Sequence, residues 1–272
     1  MSKPTRTLPQ RFHRATGRWC RRIAGELVQR GWERARSLGA LHPESMRAAR
    51  FGHLGSGSLI GFPTTALFGE RWMHIGADTL IGPWVTLTAG YSPDQPDVPE
   101  RAICIGDRCV VGARSSIIAH SRIEIGDDVW MGEDVFITDA NHGYEDHIVP
   151  IGRQIADAEP VAIGDGSWLG RGAIVLPGAQ LGRHVVVAAG SVVRGVVPSE
   201  CVMAGVPARI VRRRDADGRW LPVEHPSPEE SNHRPDGRQA AAVSLLGSQP
   251  HDGRAATDLP GHPRGPLGRP PL

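Results

Sequence analysis

Aliphatic residues followed by glycine return along this chain in steps of six. Ile75-Gly76 and Ile81-Gly82 are so spaced, as are Ile105-Gly106 and Val111-Gly112, Ile125-Gly126 and Met131-Gly132, and Ile163-Gly164 and Leu169-Gly170. From Ile163 the frame continues through Leu169, Val175, Leu181, Val187 and Val193. Four residues after each aliphatic stands a small or β-branched residue, among them Thr79, Val85, Cys109, Ser115 and Ala173. A fixed short period marks a solenoid, and a period of six marks a parallel β-helix. Three hexads then make one triangular coil, each hexad giving a short strand and a turn. The first and fifth positions point inward, the fifth into less room. Glycine at the second position answers either a crowded corner or a backbone with positive φ. One coil encloses no core, so stability comes from stacking neighbours.

The pattern divides the chain. Residues 56–211 form the all-β solenoid. Residues 1–55 form a basic, mostly helical extension, with an apolar stripe of Ile23, Leu27, Trp32, Leu38, Leu41 and Met46 and breaks at Gly39 and His42-Pro43. The strands from Phe51 to Phe68 are expected to be irregular. Two loops interrupt the hexads: 90–101, with Pro93, Pro96 and Pro99, and 143–160, directly after Asn141-His142. Long loops in compact domains tend to carry function. Residues 212–272 are rich in Arg, Pro, Gly and Ser and are expected to be disordered, without chemistry.

A net charge of +2 over 272 residues gives no reason to expect nucleic-acid binding. The charge is uneven, however: the first fifty residues hold twelve Lys/Arg against three Glu. That surplus reads either as a solvated helix or as attraction to an anionic partner, a peripheral membrane contact included. No apolar run suits a secretory signal or approaches the roughly 18 residues of a membrane span. Cys20, Cys104, Cys109 and Cys201 are scattered, which reads as reduced structural thiols in a cytoplasmic protein.

The hexad at Ile137 reads Ile-Thr-Asp-Ala-Asn-His. It places Asn141 at an inward fifth position, where an unpaired amide would be costly and so must serve a network. His142 falls at the coil's exit beside the long loop. An imidazole there can take a proton from a hydroxyl and return it; equally, it can bond the loop backbone. Asp139 reads as an orienting carboxylate or as a turn residue.

With these motifs the chain resembles the hexapeptide acyltransferases, in particular the maltose, galactoside and polysaccharide O-acetyltransferases. The likeness rests on Ile137 to Asp146 with Pro150-Ile151 and Gln154, on Val161 to Gly170, on Val175 to Gly178, and on Ala188 to Val193 with Ala204 to Arg209. It implies a left-handed parallel β-helix, a homotrimer with active sites between subunits, and acetyl-CoA or another short acyl-CoA as donor, with no metal. It implies His142 as general base, with Asn141 and Asp139 as orienters. It also implies CoA contacts at Trp168, Gly170, Ala189, Gly190 and Arg209, with an oxyanion donor near Gly170. Arg194-Gly195 stands where relatives often read Thr-Lys, so Arg194 replaces the lysine. Arg171 stands where a small residue is common and would bind CoA or narrow the acceptor site. Tyr144, Asp146 and Gln154 are candidates for hydrogen bonds to a sugar or polysaccharide acceptor.

Two other classes compete. A γ-class carbonic anhydrase shares the solenoid and binds zinc through three histidines; His142 and His147 have a fitting spacing, and His120 would be the third. A non-catalytic binding solenoid is the other alternative.

Overall fold

The computed structural model describes residues 8–92, 95, 98–154 and 156–224, with the backbone alone for 8–18 and 20. The hexads build a three-faced prism of parallel strands. Face one carries seven strands, from His53–Leu54 through Met73–Ile75, Ile103–Ile105, Ile123–Ile125, Val161–Ile163 and Gln180–Leu181 to Val196–Val197. Face two runs from Leu59–Ile60 through Trp130–Met131, Trp168–Leu169 and Val186–Val187 to Cys201–Gly205. Face three runs from Ala66–Phe68 through Ser116–Ala119, Phe136–Thr138 and Ile174–Val175 to Val192–Val193. The register is strict, Ile123 lying level with Ile103 and Val161, and Phe136 with Ser116 and Ile174.

The inward positions behave as the period requires. Ile75, Ile81, Ile117, Ile137, Leu169 and Val187 are buried, and so are the fifth-position residues Val85, Val129, Ala173 and Val185. Fully burying one such aliphatic contributes roughly 1.5–3 kcal/mol. Hydroxyls and a thiol at the fifth position tie coil to coil. The Ser58 hydroxyl donates to the Gly76 carbonyl (2.6 Å) and accepts from the Thr79 N–H (2.9 Å); Thr79 repeats this with the Gly106 carbonyl (2.8 Å) and the Cys109 N–H (3.0 Å). Burial raises the pKa of the Cys109 thiol, as expected of a structural residue. The Cys20 side chain lies outside the described residues.

Crowding, not positive φ, explains the second-position glycines. A Cβ on Gly82 would stand 2.7 Å from the Ala113 nitrogen of the next coil, and the same glycine has no positive φ. The left-handed residue is instead two positions later, at Asp78, Trp84, Arg108, Arg114, Asp128, Asp134 and His184 and at Gly166 and Gly172.

Two expectations change, the course of the stretch 51–68 and the boundary at 211. The stretch 51–68, expected to be irregular, already forms a regular first coil, since Leu54 pairs with Ile75 and Ile60 with Ile81. The extension is helical as expected, one helix, Leu8–Gly39, that ends at the expected break and is followed by a short 3-10 turn at Met46–Arg50. The boundary at 211 falls inside a strand: Ala208–Arg214 folds back antiparallel on Cys201–Gly205, and Trp220–Pro222 adds a further antiparallel strand. Backbone pairing to an existing sheet edge orders these residues without a hexad core. Residues 225–272, where disorder is expected from composition, lie outside the described residues, as do Pro93 and Pro96 of the first loop.

Candidate active site

The prism brings the predicted residues to two of its three corners. The corner where face three turns into face one carries Asp139, Asn141, His142 and the long loop, followed in later coils by Leu176–Gly178 and Arg194-Gly195. Continuing the pairing of Ile137 with Val175 and of Val175 with Val193 puts Thr138, Leu176 and Arg194 level in three successive coils. At about 4.8 Å per coil, Arg194 stands roughly 10 Å from the Thr138 level. A cleft of about 480 Å³ opens here, between Asn141 and Glu159 on one side and Arg194 and Gly195 on the other, with Leu176–Gly178 beneath.

His142 is exposed at this corner. Asn141, expected inward, is exposed as well. The polar group that enters the core is Asp139, with 0% exposure. The strand pairing explains the exchange: Thr138 is level with Ile118, so Asp139 takes the place that Ala119 fills one coil earlier and Ala89 two coils earlier, and the chain leaves the coil before a fifth position is reached. The Asp139 carboxylate accepts the N–H groups of His120 (2.8 Å), Ser121 (2.8 Å) and Arg122 (2.7 Å). It therefore pins the preceding coil's turn and does not touch His142 through any of these bonds. His120, held in that turn, stacks on Tyr91 with ring centroids 3.9 Å apart, and its Nδ1 lies 3.7 Å from Asp139 Oδ1. Burial lowers the pKa of His120, with His142 nearby adding to the effect, while Asp139 opposes it.

The long loop braces itself. The Gln154 amide donates to the carbonyls of Asp146 and Val149 (2.7 Å each), and its oxygen accepts the Asp146 N–H (3.1 Å). The Asp146 carboxylate accepts the N–H groups of Ile148 (2.7 Å) and Val149 (3.1 Å), which lowers its pKa. Both residues, read from sequence as acceptor contacts, thus serve the loop's own backbone. Tyr144 is exposed.

The corner between faces two and three carries the rest. Trp168 is 55% exposed on face two, ring outward as expected, and beside it in the preceding coil stands Trp130, 59% exposed and level with it. Sequence reasoning missed Trp130, although it precedes inward Met131 as Trp168 precedes Leu169. Ala189 and Gly190 are exposed, Gly190 with φ 68°. A Cβ on Gly170 would meet the Ala189 nitrogen at 2.6 Å, which explains that glycine by packing. The Gly170 N–H itself donates to the Val187 carbonyl (2.7 Å), so it is not an oxyanion donor. Arg171 is exposed and pairs with Asp134 (2.9 Å), a carboxylate it shares with Arg114 (2.7 Å), so the three form a charged ladder across coils. Arg209 is exposed, and its guanidinium donates to the Ala208 carbonyl (3.1 Å). Among the described residues, no three His, Cys, Asp or Glu side chains converge as a metal ion requires.

Comparison with known proteins agrees with this architecture. Residues 160–195 match the family model of the bacterial transferase hexapeptide (six repeats), and 102–138 match that of the hexapeptide repeat of succinyl-transferase. A Mycobacterium tuberculosis protein named as a probable acetyltransferase is 33% identical over 144 residues, 53% of this chain and 43% of its own. An Escherichia coli protein named for lipopolysaccharide biosynthesis O-acetyl transfer, WbbJ, is 38% identical over 118 residues, 41% of this chain and 60% of its own. The N-acyltransferase AntD of Bacillus cereus, solved with dTDP and coenzyme A, superposes with a TM-score of 0.54 at 17% identity, covering 65% of this chain and 92% of that one. The chain spans about half the length of the curated relatives it matches. The chain thus carries the hexapeptide repeat of bacterial transferases over the matched residues and shares the left-handed β-helix fold.

Proposed function

We propose that this protein is an acyl-CoA-dependent O-acyltransferase of the acetyltransferase type, with His142 as general base and a sugar or polysaccharide hydroxyl as acceptor. The observation that carries this reading is the position of His142. It is an exposed imidazole at the root of the long loop, next to the cleft edged by Asn141 and Arg194. Relatives named for O-acetyl transfer in lipopolysaccharide biosynthesis and for galactosides support the acceptor class.

The chemistry needs little more than a base and positioning. The imidazole removes the acceptor hydroxyl proton as the oxygen bonds to the thioester carbonyl carbon. When the tetrahedral adduct collapses the carbon–sulfur bond breaks, and the imidazolium returns its proton to the departing thiolate. The acyl group has moved from sulfur to oxygen and the proton from oxygen to sulfur. Proton transfer of this kind contributes about 10²–10⁴ in rate. Asn141, standing outside the core, offers its amide to the acceptor or to the tetrahedral oxyanion.

One protomer does not close such a site. Trp168, Ala189, Gly190 and Arg209 lie across face three from His142. About five residues of strand at ~3.3 Å each separate the corners by roughly 16 Å. A homotrimer that sets the His142 corner of one protomer against the Trp168 corner of the next would unite them, with an acyl-CoA lying between. The test is mass spectrometry of candidate glycans incubated with the protein and a panel of acyl-CoAs, together with light scattering. His142→Ala is expected to lose about 10²–10⁴ in turnover while still binding CoA; normal turnover in that variant overturns the assignment, and a monomeric particle overturns the shared site.

A further inference from the structure

The helix Leu8–Gly39 is the largest feature that the acyl-transfer reading leaves unexplained. Trp19 and all of residues 21–38 are exposed, Trp19 at 66% and Leu27 at 65%. Among the described residues, the helix meets the prism near its C-terminal end, where Glu33, Arg36 and Ser37 approach Leu59, Gly61 and Phe62. Gly25 and Gly31 have open space where a Cβ would stand, so packing does not explain them.

The N-terminal two-thirds of the helix is arranged in two arcs. At 100° per residue, Trp19, Ile23 and Leu27 share one side, and the positions of Leu8 and Phe12 fall on the same arc of about 100°. Positions 11, 14, 18 and 22, all arginine, fall within about 80°, centred about 130° away. The apolar arc stops at Leu27, because Arg30 and Arg34 take that side next and Arg30 pairs with Glu26 (2.8 Å). The helix holds eight arginines against two glutamates. Among the described residues no helix is long and apolar enough to cross a membrane.

We propose that this helix lies along an anionic lipid surface, its Trp19–Ile23–Leu27 side entering the headgroup boundary and its arginine arc serving the anionic headgroups. An apolar arc beside a separate basic one is the pattern of an interfacial helix. A second copy of the helix fits poorly, because two such helices would bring like charges together and Trp19, Ile23 and Leu27, spaced four and four, do not alternate three and four as a heptad seam does. A soluble polyanion would use the arginines and leave the apolar arc in water.

The test is co-sedimentation of the full chain with vesicles of phosphatidylcholine alone and of phosphatidylcholine with phosphatidylglycerol. Binding to the anionic vesicles only is expected. The triple variant R14Q/R18Q/R22Q should bind about a hundredfold more weakly, since each basic residue near such a surface contributes about 1 kcal/mol. Ile23→Glu with Leu27→Glu should abolish binding, while the thermal unfolding of the prism stays unchanged in both variants. Equal binding to neutral vesicles, no binding to either, or undiminished binding by the charge variant overturns the proposal. So does a change of particle size in the Ile23→Glu, Leu27→Glu variant by light scattering, because a second copy would then cover that side.

Discussion

Replacing Asp139 by alanine removes a fully buried carboxylate that accepts three backbone N–H groups at 2.7–2.8 Å. Hydrogen bonds to a charged group contribute about 1.5–3 kcal/mol each, and a buried donor left without a partner costs about 1–3 kcal/mol. Three such bonds do not add fully, since water can reach the half-open turn at 120–122. A net loss of about 3–5 kcal/mol follows, comparable to breaking one partner of a buried pair. In a domain of this size each kcal/mol moves Tm by roughly 2–4 °C, so a fall of about 6–20 °C is expected. Asp139→Asn keeps the volume and one acceptor oxygen but aims an NH₂ at backbone donors, so it should lose about half as much. Urea and thermal unfolding at neutral pH measure both. If Asp139→Ala unfolds within about 1 kcal/mol of the parent protein, the carboxylate does not hold the turn.

Three further outcomes follow from other parts of the molecule. Gly132→Ala would set a Cβ 2.7 Å from the Arg171 nitrogen and should cost about 1–3 kcal/mol, whereas Gly25→Ala meets nothing and should raise helix content; equal melting and unchanged circular dichroism would contradict the crowding account. Burial holds His74 and His120 below the ordinary histidine pKa, so the unfolded chain takes up their protons first as pH falls. Their contribution is complete above a pH of about 6.5 and declines below it; His120→Gln should flatten that decline in unfolding measured between neutral and mildly acidic pH, and an unaltered slope would count against it. Arg209→Ala should raise the KM for acyl-CoA with a smaller change in kcat, because a remote phosphate contact binds substrate and transition state alike; an unchanged KM removes Arg209 from the site.

The solenoid was legible because its physics is one-dimensional: each inward aliphatic repeats the environment of the one six residues before it. The first coil carries the same signal, since Leu54-Gly55 and Ile60-Gly61 already keep the spacing. What period cannot supply is the point at which the chain leaves the frame. Extending the Ile137 hexad by count sends Asn141 inward, whereas register with Ala119 sets Asp139 in the core and the exit to the loop leaves Asn141 outside. Gln154 and Asp146 escape for a related reason, because side chain to backbone bonds within a loop have no period. Strand Trp220–Pro222 pairs antiparallel on a sheet edge and carries no hexad signal. His142 and Trp168 stand where a histidine at a coil exit and a tryptophan before an inward leucine must stand: outside.

The width of face three has a genetic consequence. If neighbouring protomers share each site, damage to His142 and damage to the Trp168 corner are lesions in different halves of it. Mixed trimers of a His142→Ala chain and an Arg209→Ala chain would then contain some junctions where both halves are intact. At an acyl-CoA concentration well below the raised KM, the two impaired preparations, unfolded and reassembled together, would recover activity that neither regains alone.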